Sequence, residues 1–104
     1  MATEDYFDKR YDMCGREISE EQWRVRYLDI ENRRLAVNQL PGGLAVSTVL
    51  LRHDHSYTPG VGLPVIFETH VFGTGDVQWY STWTEAMEGH RAMCAAIRAR
   101  GDAS

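Results

Sequence analysis

The chain has 104 residues, the usual size of one domain, with 43% hydrophobic and 25% charged residues and a net charge of −4. That is the profile of a soluble globular protein with a single core. No run approaches the roughly 20 apolar residues of a membrane helix, and the acidic balance argues against a dedicated nucleic-acid binder.

Residues 1–104 are expected to form one domain, with residues 1–10 loosely held. The opening "MATEDYFDKRYD" is polar and acidic, unlike a secretory signal or a transit peptide, so the cytoplasm is the expected compartment. In "YDMCGREI", Asp12 opens a turn or short hairpin and Gly15 supplies its left-handed residue. Cys14 in that turn and Cys94 lack any CxxC spacing, and both are expected to be reduced thiols.

"SEEQWRVRYLDIENR" predicts a helix over 19–31. Ser19 and Gln22 make a capping box, Glu20 and Glu21 suit the positive helix end, and Trp23, Tyr27 and Ile30 form one apolar stripe. Arg24, Arg26, Arg33 and Arg34 make this region locally basic, which reads as solvated surface.

Three runs with period two follow, "RRLAVNQL", "GLAVSTVLLRH" and "PVIFETHVF", then a shorter strand, "VQWYS". Pro41-Gly42 suits the centre of a type II turn. Pairing Leu40 with Gly43 sets Val37 opposite Val46 and Leu35 opposite Thr48. Pairing His53 with Pro64 sets Leu50 opposite Phe67, Thr48 opposite Thr69 and Val46 opposite Val71. Both registers place apolar residues on one face, in rows such as Val37, Val46 and Val71. Gly60, Gly62, Gly73 and Gly75 complete no phosphate-binding fingerprint and read as turn residues.

Thr82 and Glu85 cap a second helix over about 83–99, closed by Gly101. Its stripe is Trp83, Met87 or Ala86, His90, Cys94 and Ile97, and Gly89 within it suggests close approach to the sheet. The fold class is α+β: a four-stranded antiparallel meander with an N-terminal and a C-terminal helix packed on the sheet. The second sheet face carries Ala45, Val49, Leu51, Ile66 and Phe72 with Ser47, Glu68 and His70. Its covering is either one of the helices or a second subunit, which makes a homodimer one expectation.

"RHDHSYTPGVGLPVIFETH" holds three of the four histidines. Metal ligands must converge to about 2 Å from one point. The predicted register keeps His53-Asp54-His55 apart from Glu68 and His70, and reads the first group as a loop rim with Asp54 and Ser56 folding the turn. Ser47, Glu68 and His70 are the residue types of a nucleophilic site, but a mid-strand serine lacks the strained turn and backbone donors that such chemistry uses. A polar pocket formed by these three with Trp79 is the better reading.

"VSTVLLRHDHSY", "LPVIFETHVFG" and "YSTWTEAMEGHRAM" resemble small proteins encoded by tailed phages of actinobacteria, over about residues 34–95. The shared pattern falls on Asp54 and His55, Ile66 to Thr69, Tyr80 to Thr82, and Gly89 with His90. His53 and His70 depart from it, which gives Asp54, His55 and Glu68 the greater interest. Ten arginines against the single Lys9, the mark of a GC-rich coding sequence, agree with that source.

The resemblance implies a phage-encoded accessory protein of the host cytoplasm. The group carries no agreed activity; the expectation drawn from the residues is a non-enzyme that binds a host protein or a small molecule, with host metabolism or defence as the envisaged target. Ser47, Asp54, His55, Glu68, His70 and Trp79 are the candidate ligand-binding residues; no catalytic residue, metal ligand or cofactor is assigned, and neither nucleic acid nor membrane is an expected partner. The alternatives are a metal-assisted hydrolase using His53, Asp54, His55 and Glu68, and a minor virion component.

Overall fold

A computed structural model describes residues 9–56 and 62–103. Most of the N-terminal segment expected to be loose, and Gly60, lie outside the described residues. The first described element is a short hairpin, one of the two forms the sequence leaves open, β1 (Arg10–Tyr11) with β2 (Glu17–Ile18). Asp12 Oδ1 accepts from the backbone N–H groups of Cys14 and Arg16 at 2.9 and 3.0 Å, and Gly15 takes φ 82°.

Helix α1 (Glu20–Tyr27) starts at the predicted capping box, in which Gln22 N donates to Ser19 Oγ at 3.0 Å and Ser19 N donates to Gln22 Oε1 at 2.9 Å. The helix is shorter than its stripe predicts. Asp29 takes an extended backbone and accepts from Glu31 N at 3.1 Å, which caps a separate short helix, α2 (Ile30–Arg33). Ile30 therefore leaves the stripe of Trp23 and Tyr27 and is 41% exposed.

The sheet is the predicted meander, in the order β3 (Arg34–Leu40), β4 (Leu44–Leu50), β5 (Phe67–Phe72) and β6 (Val77–Tyr80). The β4–β5 register matches the sequence reading, with Leu50 opposite Phe67, Thr48 opposite Thr69 and Val46 opposite Val71. The β3–β4 register does not. Leu40 pairs with Leu44 across a three-residue link, Pro41–Gly43, in which Gly43 as well as Gly42 is left-handed at φ 76° and 80°. Val46 thus faces Asn38, and Val37 faces Ser47 on the opposite side of the sheet. A bulge between Arg34 and Ala36 then turns Leu35 to pack against the core instead of facing Thr48.

Helix α3 (Trp83–Ala103) begins at the predicted Thr82–Glu85 box, with Glu85 N donating to Thr82 Oγ1 at 3.1 Å and Thr82 N to Glu85 Oε1 at 3.2 Å. It runs through Gly101 rather than ending there. Its buried stripe is Ala86, His90, Cys94 and Ile97; Trp83, half-exposed, lies outside it. Gly89 is the close approach: a β-carbon there would overlap the Tyr80 ring of β6.

Both main helices serve one sheet face. Trp23 and Tyr27 of α1 and Ala86 of α3 form an apolar cluster with Leu50, Ile66 and Phe67. A second cluster joins Leu40, Val46 and Val71 to Cys94 and Ile97. Thr48, Thr69 and His90, all buried, lie in the row between them. The idea that each helix covers its own face is corrected: no described helix packs across the second face, and only Ile30 borders it.

Candidate functional site

The uncovered face has three rows, set by the strand registers. Arg34, Val49, Glu68 and Trp79 make the first; Val37, Ser47, His70 and Val77 the second; Gln39, Ala45 and Phe72 the third. All three residues on β4 (Ala45, Ser47, Val49) are small, and all three on β5 (Glu68, His70, Phe72) are large. The result is a trough of about 560 Å³ floored by β4, walled by β3 on one side and by the β5 ridge on the other.

Apolar groups dominate what the face shows to water. Val37 is 46%, Phe72 54% and Trp79 51% exposed, while Ser47 at the trough floor is only 8% exposed. The ridge is ordered by its own contacts: the His70 ring stacks on Phe72 with centroids 4.6 Å apart, and Trp79 Nε1 donates to Glu68 Oε2 at 3.0 Å. Ser47, Glu68, His70 and Trp79 are therefore one neighbourhood, as the sequence suggests. It is an open surface rather than a closed pocket. Among the described residues no hydrogen bond joins Ser47 to His70 or His70 to Glu68, so no proton path activates the serine.

Asp54 and His55 lie elsewhere. Asp54 is 7% exposed, and its Oδ1 accepts from the N–H groups of Ser56 and Val65, each at 2.8 Å. His55 is exposed, and its backbone N–H donates to Val65 O at 2.8 Å. Asp54 thus ties the loop to the chain entering β5, as the loop-rim reading expects. His53 Nδ1 sits 3.3 Å from the Arg10 guanidinium. Arg10 and Arg52 share Glu20 Oε1 at 3.0 and 3.1 Å. The Arg52 hydrogen bond, then the Arg10 charge, holds the Glu20 carboxyl below its ordinary range. The residues of the hydrolase alternative point to different partners, and no group of three or more His, Cys, Asp or Glu side chains among the described residues could hold a metal ion.

No family model, curated protein or solved structure matches this chain.

The helix-covered face holds a polar chain that sequence reasoning missed. Thr48 Oγ1 lies 2.5 Å from Thr69 Oγ1 and 2.7 Å from His90 Nδ1, and His90 Nε2 lies 2.7 Å from Asn38 Oδ1. Burial, with a smaller push from Arg91, lowers the pKa of His90 below 6.5 and favours the neutral ring. With the ring neutral, Thr69 donates to Thr48, Thr48 to Nδ1, and Nε2–H to Asn38 Oδ1. Thr-His-Asn is an order that nucleophilic sites use, but Thr48 is fully buried and no substrate reaches it. The available signal was Thr48 opposite Thr69 in the predicted register. Asn38 was hidden by the one-residue slip in β3.

Proposed function

We propose that this chain is a small accessory binding protein that works by docking a protein on the uncovered sheet face. The observation that carries the reading is Val37, Phe72 and Trp79, each about half exposed on a single surface with no described helix across it. Large apolar side chains gathered half exposed on one uncovered face mark interaction surfaces. A protein suits the surface better than a small molecule, because ligand sites enclose most of their guest and this trough is unroofed along β4. The Glu68–Trp79 pair and the stacked His70 hold the ridge in shape before any partner arrives, which lowers the ordering cost of binding. The setting we propose is the host cytoplasm, in line with the resemblance to small proteins of actinobacterial phages, and the host effect proposed is on metabolism or defence.

Native mass spectrometry of the chain, isolated gently from an actinobacterial host, tests this reading. Wild type is expected to carry protein mass, either its own or another chain's, and Phe72→Asp to lose it. A monomer bearing a metal or a small-molecule adduct contradicts the reading. So does a bound protein that Phe72→Asp leaves in place.

A further inference from the structure

The uncovered face is complementary to itself. Its small residues all lie on β4 and its large ones all on β5, so trough and ridge run side by side and parallel. A twofold axis parallel to the strands, passing between β4 and β5, sets each copy's β5 over the other's β4 and each β3 over the other's β6. Rows are preserved by that operation. The Phe72 side chain then comes down over Ala45 of the second copy, His70 over Ser47 and Glu68 over Val49, large on small in every row. Facing sheets pack about 10 Å apart with strand directions aligned to within about 30°, a separation that interleaved large and small side chains fill.

Charge agrees with shape. Arg34 on β3 stands beside Val49 in the first row, so a Glu68 carboxylate entering above Val49 meets the other copy's Arg34 guanidinium. The same Arg34 lies over the second copy's Trp79, the geometry of a cation–π contact. Two-fold repetition gives both pairings twice and leaves each Glu68 beside a cation.

We infer that the partner on this face is a second copy of the chain, forming a sheet-on-sheet homodimer in which each β5 ridge fills the other copy's β4 trough. The inference rests on the reading of the face as a protein-docking surface and names the occupant. Four strands of seven, seven, six and four residues, about 4.8 Å apart, give a footprint of roughly 20 by 20 Å. Corrugation raises the buried area toward the lower end of specific interfaces, about 600 Å² per partner. The dimer is therefore one that exchanges with monomer as concentration falls.

Sedimentation equilibrium of the purified chain across a concentration series is the test. Wild type is expected to move reversibly between the chain mass and twice that mass. Ser47→Arg, which fills the trough, and Phe72→Asp, which removes the ridge, are expected to stay monomeric, with thermal unfolding showing that each remains folded. Arg34→Glu is expected to weaken association about tenfold, and adding Glu68→Arg to restore it. A dimer that all these variants leave unchanged overturns the inference. A wild type that stays monomeric to about 1 mM also overturns it; the docking reading then survives only if a different protein is bound in the host in a Phe72-dependent way.

Discussion

His90 is the residue on which the helix–sheet contact is most finely set. It reaches from α3 between two apolar clusters and finds both partners on the sheet, Thr48 and Asn38. The chain of bonds has a middle and an end, and the two threonines differ accordingly. Thr48→Val leaves the buried Nδ1 without a donor and should cost about 2–3 kcal/mol in denaturant unfolding. Thr69→Val removes only the last link and should cost about 1 kcal/mol. The same residue gives stability a pH dependence. Burial lowers the folded pKa of His90, so on acidification the unfolded chain takes up a proton before the folded one does. Stability is unaffected by His90 well above 6.5, its ordinary pKa, and falls as pH drops below it toward the depressed folded value. Melting temperatures between pH 8 and 5 should show that fall in wild type and a smaller one in His90→Gln. Equal slopes would remove His90 from the account.

The elements show which parts of the fold are legible in sequence and which are not. Both helix starts are, because a capping box is a local device and needs no tertiary context. Ser19→Ala should destabilise the protein by about 1 kcal/mol, since α1 carries Trp23 and Tyr27 into the core. The β4–β5 register is legible as well, because six residues on each side agree in parity. The β3–β4 register is not. Pro41-Gly42 announces a turn, but nothing local says that Gly43 also turns left-handed and lengthens the link by one residue. That single residue moves Val37 to the open face and brings Asn38 to His90. Ile30 fails for a similar reason: Asp29 fits a helix interior or a new cap, and tertiary context selects the cap. Gly89 was readable in kind, though not by partner. Alanine there gains about 1 kcal/mol of helix propensity, yet its β-carbon overlaps the Tyr80 ring. Gly89→Ala should therefore be destabilising in wild type and stabilising in a Tyr80→Leu background, measured by chemical denaturation of the four proteins.

At the scale of the whole molecule the organising fact is asymmetry. The two long helices, the buried polar chain and the apolar clusters lie under one sheet face, and the other is left with Val37, Phe72 and Trp79 half in water. Four of the six site residues expected from sequence fall on that open face, while Asp54 and His55 belong to the loop that leads into β5. The predicted register keeps that loop apart from Glu68 and His70, and the structure places it apart from the open face. Among the described residues no helix is long and apolar enough to cross a membrane, and a sheet face of this kind is the natural place for another protein to sit.

Trp79 and Trp83 offer a matched pair for testing this claim. They are the same residue type and are 51% and 49% exposed in the single chain, Trp79 on the open face and Trp83 at the start of α3, away from it. Hydroxyl-radical footprinting with mass spectrometric readout would compare their oxidation in protein taken from the host and in the same protein diluted until alone. Similar oxidation of the two is expected when dilute, and strong, selective protection of Trp79 when the partner is present. Equal oxidation of both under every condition would contradict it.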